Sequence, residues 1–267
     1  MDQQVTVQQP IIRYADNALR ELEDEIAVEY PLTIVVDGEE FATMVCTPTH
    51  IEELVVGFLA SEGLIRSSDE ILSLSIEEAR GFAHVELKNK QSVNKDQHSK
   101  RFIGSCCGKS RQFYLQNDAR TAKTVMSQYA ITVDQCFSLV SQMQNHSRDF
   151  QSTGGVHNAA LCSADGIEIF RTDIGRHNAL DKIYGYMVRN RIPAADKVVV
   201  FSGRISSEVL LKVAKMGVGI ILSKSAPTTL ALDLAKDLGI TAVGFVRQAS
   251  MNVYTHPQRI LTSPENQ

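Results

Sequence analysis

Two adjacent cysteines stand out in the stretch Gly104-Ser105-Cys106-Cys107-Gly108-Lys109-Ser110-Arg111. The thiolate is the nucleophilic form of cysteine, and nearby cations favour it by lowering the thiol pKa. Arg101, Lys109 and Arg111 supply three such cations within a few positions. Glycines on either side leave the backbone adaptable enough to present a sulfur to a partner. The neighbours are small and polar, whereas a cysteine pair buried in a core strand has apolar ones. The residues alone do not decide which sulfur reacts.

Four polar clusters follow in the second half of the chain. The first, Ser152 to Asn158, contains Gly154-Gly155 and His157, a side chain able to donate, accept or shuttle a proton. The second contains Asp173-Ile174-Gly175-Arg176-His177-Asn178 ahead of a predicted helix. There, backbone N–H groups and Arg176 could meet an anion, or Asn178 could serve as the N-cap. The third, Ser202-Gly203-Arg204-Ile205-Ser206-Ser207-Glu208, directly follows an apolar run. Its backbone donors, hydroxyls and guanidinium make a phosphate cradle, with Ser206 also a candidate N-cap. The fourth, Ser223-Lys224-Ser225-Ala226-Pro227-Thr228, again links strand to helix. Arg247, at the end of a predicted strand and close to Phe245 and Tyr254, could complete a base or phosphate pocket. None of these is a Walker A loop or a dinucleotide fingerprint. In open α/β sheets, however, ligands bind beyond the carboxyl ends of the strands, so the clusters are expected on one face, around a polyanionic, nucleotide-bearing ligand.

Several elements must position these groups. The first ten residues read as a loose tail. Two strands are expected around Asp37-Gly38, and a helix after Thr49, with Thr49 as N-cap and Glu52 closing a capping box. Short strands are predicted at 71–76 and 82–87. Residues 88–101 carry four lysines and an arginine and read as an exposed basic lip to the cysteines. A helix is expected over 132–146, then a hairpin about Asp165-Gly166. Helices at 178–190, 206–215 and 228–238 alternate with strands at 198–201, 218–222 and 241–246. That alternation implies a parallel or mixed sheet covered by helices. The division falls near residue 130: a smaller β-rich α+β part, 1–130, holding the cysteine loop 88–111, then an α/β part, 131–267.

With 267 residues, the chain can bury about 70–75% of its unfolded surface without covalent staples. Its net charge of -4 gives no general pull toward nucleic acid or anionic membranes. No apolar run approaches the roughly 18–20 residues of a membrane span, and the polar first ten residues do not resemble a signal peptide. Five cysteines without disulfide-framework spacing fit the reducing cytoplasm.

Taken in order, Thr153-Gly154-Gly155-Val156-His157, Asp173 to Lys182, Ser202 to Glu208, Ser225-Ala226-Pro227-Thr228 and Asn252-Val253-Tyr254-Thr255-His256 resemble the FdhD family, over roughly residues 31–260. The resemblance implies a cytidine deaminase-like three-layer α/β/α main domain and a homodimer. It implies a sulfurtransferase that relays sulfane sulfur from a cysteine desulfurase to Mo-bis(molybdopterin guanine dinucleotide), or to the tungsten form, before insertion into formate dehydrogenase. Many members carry Cys-Gly-x-Cys-Gly; here Cys107 matches the first cysteine, the persulfide carrier, and Ser110 stands at the second. Cys106 is an additional neighbour, and Cys106 and Lys109 become accessory candidates. Phe245, Val246, Arg247, Gln248, Ala249 and Ser250 match the segment associated with cofactor binding. With Arg176, His177, Arg204, Ser206 and Ser225 they make up the expected cofactor site, with no intrinsic metal. Two other readings are a cofactor-binding chaperone without chemistry and a zinc nucleobase deaminase. The latter needs a Cys-x-x-Cys pair, which the sequence lacks.

Overall fold

The computed structural model describes residues 4–89, 101–103, 122 and 124–262; Cys106, Cys107, Lys109 and most of the basic loop lie outside them. The chain opens with an antiparallel ribbon, β1 (Thr6–Ala15) and β2 (Ala18–Ala27), so the expected tail is a strand from Thr6 onward. Asp16 and Asn17 both take positive φ, as a tight hairpin turn requires. The register places Val7 opposite Ile26 and Ile11 opposite Leu22, an alternation obscured in the sequence by intervening glutamines and Pro10. Proline is tolerated because, among the described residues, this ribbon has two strands and no third strand pairs with its edges.

A five-stranded sheet follows, built from β3 (Tyr30–Val36), β4 (Glu39–Cys46), β5 (Ile71–Glu77), β6 (Phe82–Leu87) and β7 (Arg101–Ile103) in the order β5-β6-β3-β4-β7. β7 runs parallel to β4, with Ile103 opposite Met44. Leu32, Ile34 and Met44 pack under α1 (Ile51–Ser61) through Leu54, Val55 and Leu59. The Thr49 capping box does not form. His50 occupies the N-cap position in a left-handed conformation without a side-chain cap. Glu52, the expected closing carboxylate, is instead drawn outward to Arg189 at 2.6 Å.

A short parallel pair, β8 (Ile131–Thr132) and β15 (Ile260–Leu261), ties the two ends of the second half together. The second large sheet has six strands. β9 (His157–Ser163) and β10 (Gly166–Asp173) form the predicted hairpin, followed by β11 (Val198–Phe201), β12 (Ile220–Ser223), β13 (Thr241–Arg247) and β14 (Ser250–Val253). The order is β10-β9-β11-β12-β13-β14, with β10, β11, β12 and β13 sharing one direction and β9 and β14 reversed. Strand alternation sends Leu161, Val199, Phe201 and Ile221 toward the helices α4 (Arg176–Asn190), α5 (Ser207–Met216) and α6 (Thr229–Leu238). Cys162, Val198, Val200, Ile220 and Leu222 point to the other face, covered by α2 (Val133–His146) through Cys136, Leu139, Val140 and Met143. The result is a mixed α/β fold with helices on both sides of the sheet. Thr132 and Gln135 cap α2 reciprocally, and the short α3 (Arg148–Thr153) leads into β9.

The two halves meet where α1 crosses α4. A Cβ added to Gly57 would stand 1.8 Å from the Asp181 carbonyl oxygen, and one added to Gly185 1.8 Å from that of Glu53. The helix backbones therefore touch, which only glycine permits at both points. Arg171 fixes the same interface with a two-pronged pair to Glu53 at 2.6 and 2.8 Å.

Candidate anion site at the strand ends

The carboxyl ends of β10, β11, β12 and β13 lie along one edge of the six-stranded sheet, and hydrogen bonds join their loops in sequence. After β11, Ser202 exchanges bonds with Asn158 at the start of β9: its N–H donates to the Asn158 carbonyl and its Oγ accepts from the Asn158 N–H. After β12, the Ser223 hydroxyl donates to the Gly203 carbonyl at 2.8 Å and accepts from Ser225 N–H at 3.0 Å. Ile205 N–H donates to Ala226, and Thr228 N–H donates to Ile205. After β13, Phe245 N–H reaches the Ser225 carbonyl at 3.2 Å. A Cβ on Gly203 would lie 3.7 Å from Arg176 Cβ, so the β10 and β11 loops adjoin.

Arg176 opens α4, and Arg204 is exposed in the β11 loop. Ser206 is the N-cap of α5, accepting from Val209 N–H at 3.4 Å. Ser225 is half-buried; Arg247, Gln248, Ala249 and Ser250 are exposed. Val246 differs: it is 1% exposed and packed in the core beneath α2, so only its backbone reaches the edge. The β13–β14 register shifts between Gly244 and Arg247, and Phe245 sits in this bulge at φ +52. His177 pairs with Glu208 at 2.9 Å, joining the first turns of α4 and α5. His157 stands where the edge meets β9. Burial lowers its pKa, the Arg176 guanidinium lowers it further, and Asp173 partly offsets both.

Asn178 is not the N-cap of α4. The helix starts at Arg176 after Gly175, and the Asn178 amide donates to the Val45 carbonyl and Asp173 Oδ1, at 2.9 Å each. Gly175 stands at the N-cap position without a side-chain cap, and its own N–H donates to Asp173 Oδ1 at 2.8 Å. Asp173 Oδ2 accepts from Thr47 N–H at 3.1 Å and pairs with Lys182 Nζ at 2.7 Å. This foundation of Thr47, Asp173 and Lys182 was not foreseen as part of the site. One signal for it lay in the helix pattern. Asn178, Asp181, Lys182 and Gly185 follow the i, i+3, i+4, i+7 spacing of one face, a polar stripe ending in a glycine. Thr47 gave no signal.

Adjoining strand-end loops carry Arg176, Arg204 and Arg247, several hydroxyls and the N-termini of two helices of ten or more residues, all of which favour an anion. Thr47 directly follows β4, whose parallel neighbour β7 ends at Ile103 opposite Met44, so β7 ends on the side where Thr47 meets the Arg176 turn. Among the described residues, no group of three or more His, Cys, Asp or Glu side chains is arranged to hold a metal ion. None of the described helices is long and apolar enough to cross a membrane.

A family model described as the FdhD/NarQ family matches residues 27–261. A protein of Geobacillus kaustophilus named sulfur carrier protein FdhD is 58% identical over 252 residues, which is 94% of this chain and 96% of that protein. A Bacillus subtilis protein of the same name is 54% identical over 260 residues, 97% of this chain and 99% of its own. Among solved structures, one described as a formate dehydrogenase accessory protein from Desulfotalea psychrophila superposes with a TM-score of 0.79. It is 25% identical and covers 97% of this chain and 100% of that one.

Proposed function

The chain belongs to the FdhD/NarQ family, and from that premise we propose that it is a sulfur carrier acting as a sulfurtransferase in the maturation of formate dehydrogenase. The Cys107 thiolate attacks the outer sulfur of a persulfide on a cysteine desulfurase. The donor's S–S bond breaks, the donor cysteine leaves as its thiolate, and Cys107 holds the sulfur as Cys107–S–SH. Lys109, Arg101 and Arg111 favour the anionic forms of both sulfurs, with Cys106 alongside. The substrate that receives the sulfur is Mo-bis(molybdopterin guanine dinucleotide). Its phosphates suit Arg176, Arg204 and Arg247, the Ser206 and Ser225 hydroxyls and the start of α4 at His177, and its base suits the Phe245–Ser250 segment.

The observation that carries this reading is the convergence of four strand-end loops, three of them bearing an arginine, on one edge, near the end of β4 beside which β7 ends. Cys107 is four residues beyond Ile103, a span of at most about 14 Å. The sheet, with a reversed β9 between parallel β10 and β11, supports a cytidine deaminase-like assignment for the main domain. The chain would act in the cytoplasm as a homodimer.

Intact-mass measurement after incubation with a cysteine desulfurase and cysteine tests the proposal. The wild-type protein should gain one sulfur and Cys107→Ala none, and the variant should fail to restore formate dehydrogenase activity in a strain lacking the wild-type gene. No mass gain in the wild type, with maturation intact, would make the chain a cofactor-binding chaperone instead.

A further inference from the structure

The stretch from Asp173 to Lys182 contributes Arg176 and His177 to the edge and leaves a second set of polar groups facing inward. Asp173 and Lys182 are both 0% exposed, and Asn178 is 6% exposed. Lys182 Nζ donates to the carbonyls of Thr47 and Thr172 at 3.1 Å each, in addition to its ion pair with Asp173. Asp173 receives four donors: Gly175 N–H and Asn178 Nδ2 on one oxygen, Thr47 N–H and Lys182 Nζ on the other. Ile174 N–H adds a bond to the Thr47 hydroxyl at 3.0 Å. A carboxylate has about four acceptor positions, and here all are occupied.

Net stability is a poor account of such a pair. Desolvating two charges roughly cancels their attraction, and apolar replacements of similar volume are often as stable. What the pair supplies is geometry. Its donors come from three separate places: the end of β4, the turn before α4, and the first two turns of α4. Satisfying all of them at once leaves the Arg176 turn one position relative to β4. The Arg171–Glu53 pair, 12% exposed on each side, joins the same two halves without touching that turn. The binding edge thus has a dedicated anchor distinct from the general interface.

We propose that Asp173 and Lys182 are positioning residues that hold the Arg176 turn against the end of β4, and that this placement sets the site's affinity for a nucleotide diphosphate. The inference rests on the anion-site reading above.

The test uses the full chain and guanosine 5′-diphosphate as probe. The paired substitution Asp173→Asn with Lys182→Met removes both buried charges together, so neither is left uncompensated, and Asn keeps an acceptor for Gly175 N–H. The control pair is Arg171→Met with Glu53→Gln. Thermal unfolding and calorimetric affinity are measured for each. The Asp173/Lys182 pair should remain folded and lose about tenfold or more in affinity, the scale of one charge-assisted hydrogen bond. The control pair should bind as the wild type does. Equal losses in both pairs, or no loss in either, would overturn the positioning role and leave the anion site standing. A wild-type chain that does not bind the diphosphate would overturn the anion-site reading, and the inference with it.

Discussion

The Arg176 rim and the Phe245 rim of the strand-end edge are held in place by opposite means. At Arg176, a buried carboxylate collects donors from three segments and a fully enclosed lysine neutralises it. No residue from Asp173 to His177 takes a positive φ. At Phe245, the backbone itself is bent: a bulky residue occupies left-handed space in a bulge, and the next four positions after the buried Val246 are exposed. Such a conformation costs about 1–2 kcal/mol in a non-glycine residue. The first rim is fixed by charge and hydrogen bonding, the second by strain that Val246, anchored in the core, helps to maintain. Electrostatic perturbations should therefore fall on one rim and backbone perturbations on the other.

The sharpest way to break this contrast is to remove one charge alone. Lys182→Met leaves the Asp173 carboxylate enclosed without its cation, and stability should fall by about 3–5 kcal/mol. Urea unfolding reads this directly. A loss below about 1 kcal/mol would mean that the carboxylate is not charged in the folded protein or that water reaches it.

A somewhat smaller effect is expected from Gly185→Ala, which acts on the Arg176 rim through its supporting helix. The new Cβ would meet the Glu53 carbonyl oxygen at 1.8 Å, so α1 and α4 must move apart. Overpacking of this kind costs about 1–3 kcal/mol, and a backbone obstacle places the change at the upper end. Chemical denaturation should show the loss. Arg171→Met in the same background should then cost less than it does alone, because the separated helices have already weakened that pair.

The pH dependence of stability probes the same rim more gently. His157 titrates below its ordinary value of 6.5, first because of burial and then because of the Arg176 charge. The unfolded chain therefore binds a proton that the folded chain resists. The stability gained from the neutral imidazole is complete above about pH 6.5 and is lost as pH falls through the folded pKa. His157→Gln should flatten the decline in unfolding free energy between about pH 6.5 and 5, a change of at most about 1.4 kcal/mol per pH unit. Identical slopes for wild type and variant would show that burial and Arg176 together do not hold the folded imidazole below its ordinary value.

Much of this framework was legible in the residues. The strands of the second sheet are apolar runs closed by Gly or polar turn residues, and 198–201 matches β11 throughout. The arginines and serines of the edge were legible because they sit where strands end. The N-terminal ribbon was not, since its alternation is carried by Val7, Ile11, Leu22 and Ile26 among glutamines, glutamates and a proline. Nor was the Asp173 anchor, whose bond to Thr47 spans 126 residues and reflects packing of two halves that no local pattern encodes. Thr49 misled because a capping box is a local signal, and the N-cap position falls on His50, which leaves Glu52 at the second helical position and out of register with Thr49.

The Phe245 rim gives the smallest effect and the clearest sign. In an ordinary strand, glycine is worse than alanine by about 0.5–1 kcal/mol, because it has more chain entropy to lose. At φ +52 the order should invert. Both Phe245→Ala and Phe245→Gly lose the half-buried ring, so their difference isolates the backbone. Glycine relieves the left-handed conformation and alanine does not, so Phe245→Gly should be the more stable variant by about 1 kcal/mol. Thermal unfolding of the two variants side by side measures it. If alanine proves equal or better, the bulge is not held in left-handed space, and the rim is aimed by side-chain packing. In that case the Phe245–Ser250 segment would need another source of rigidity.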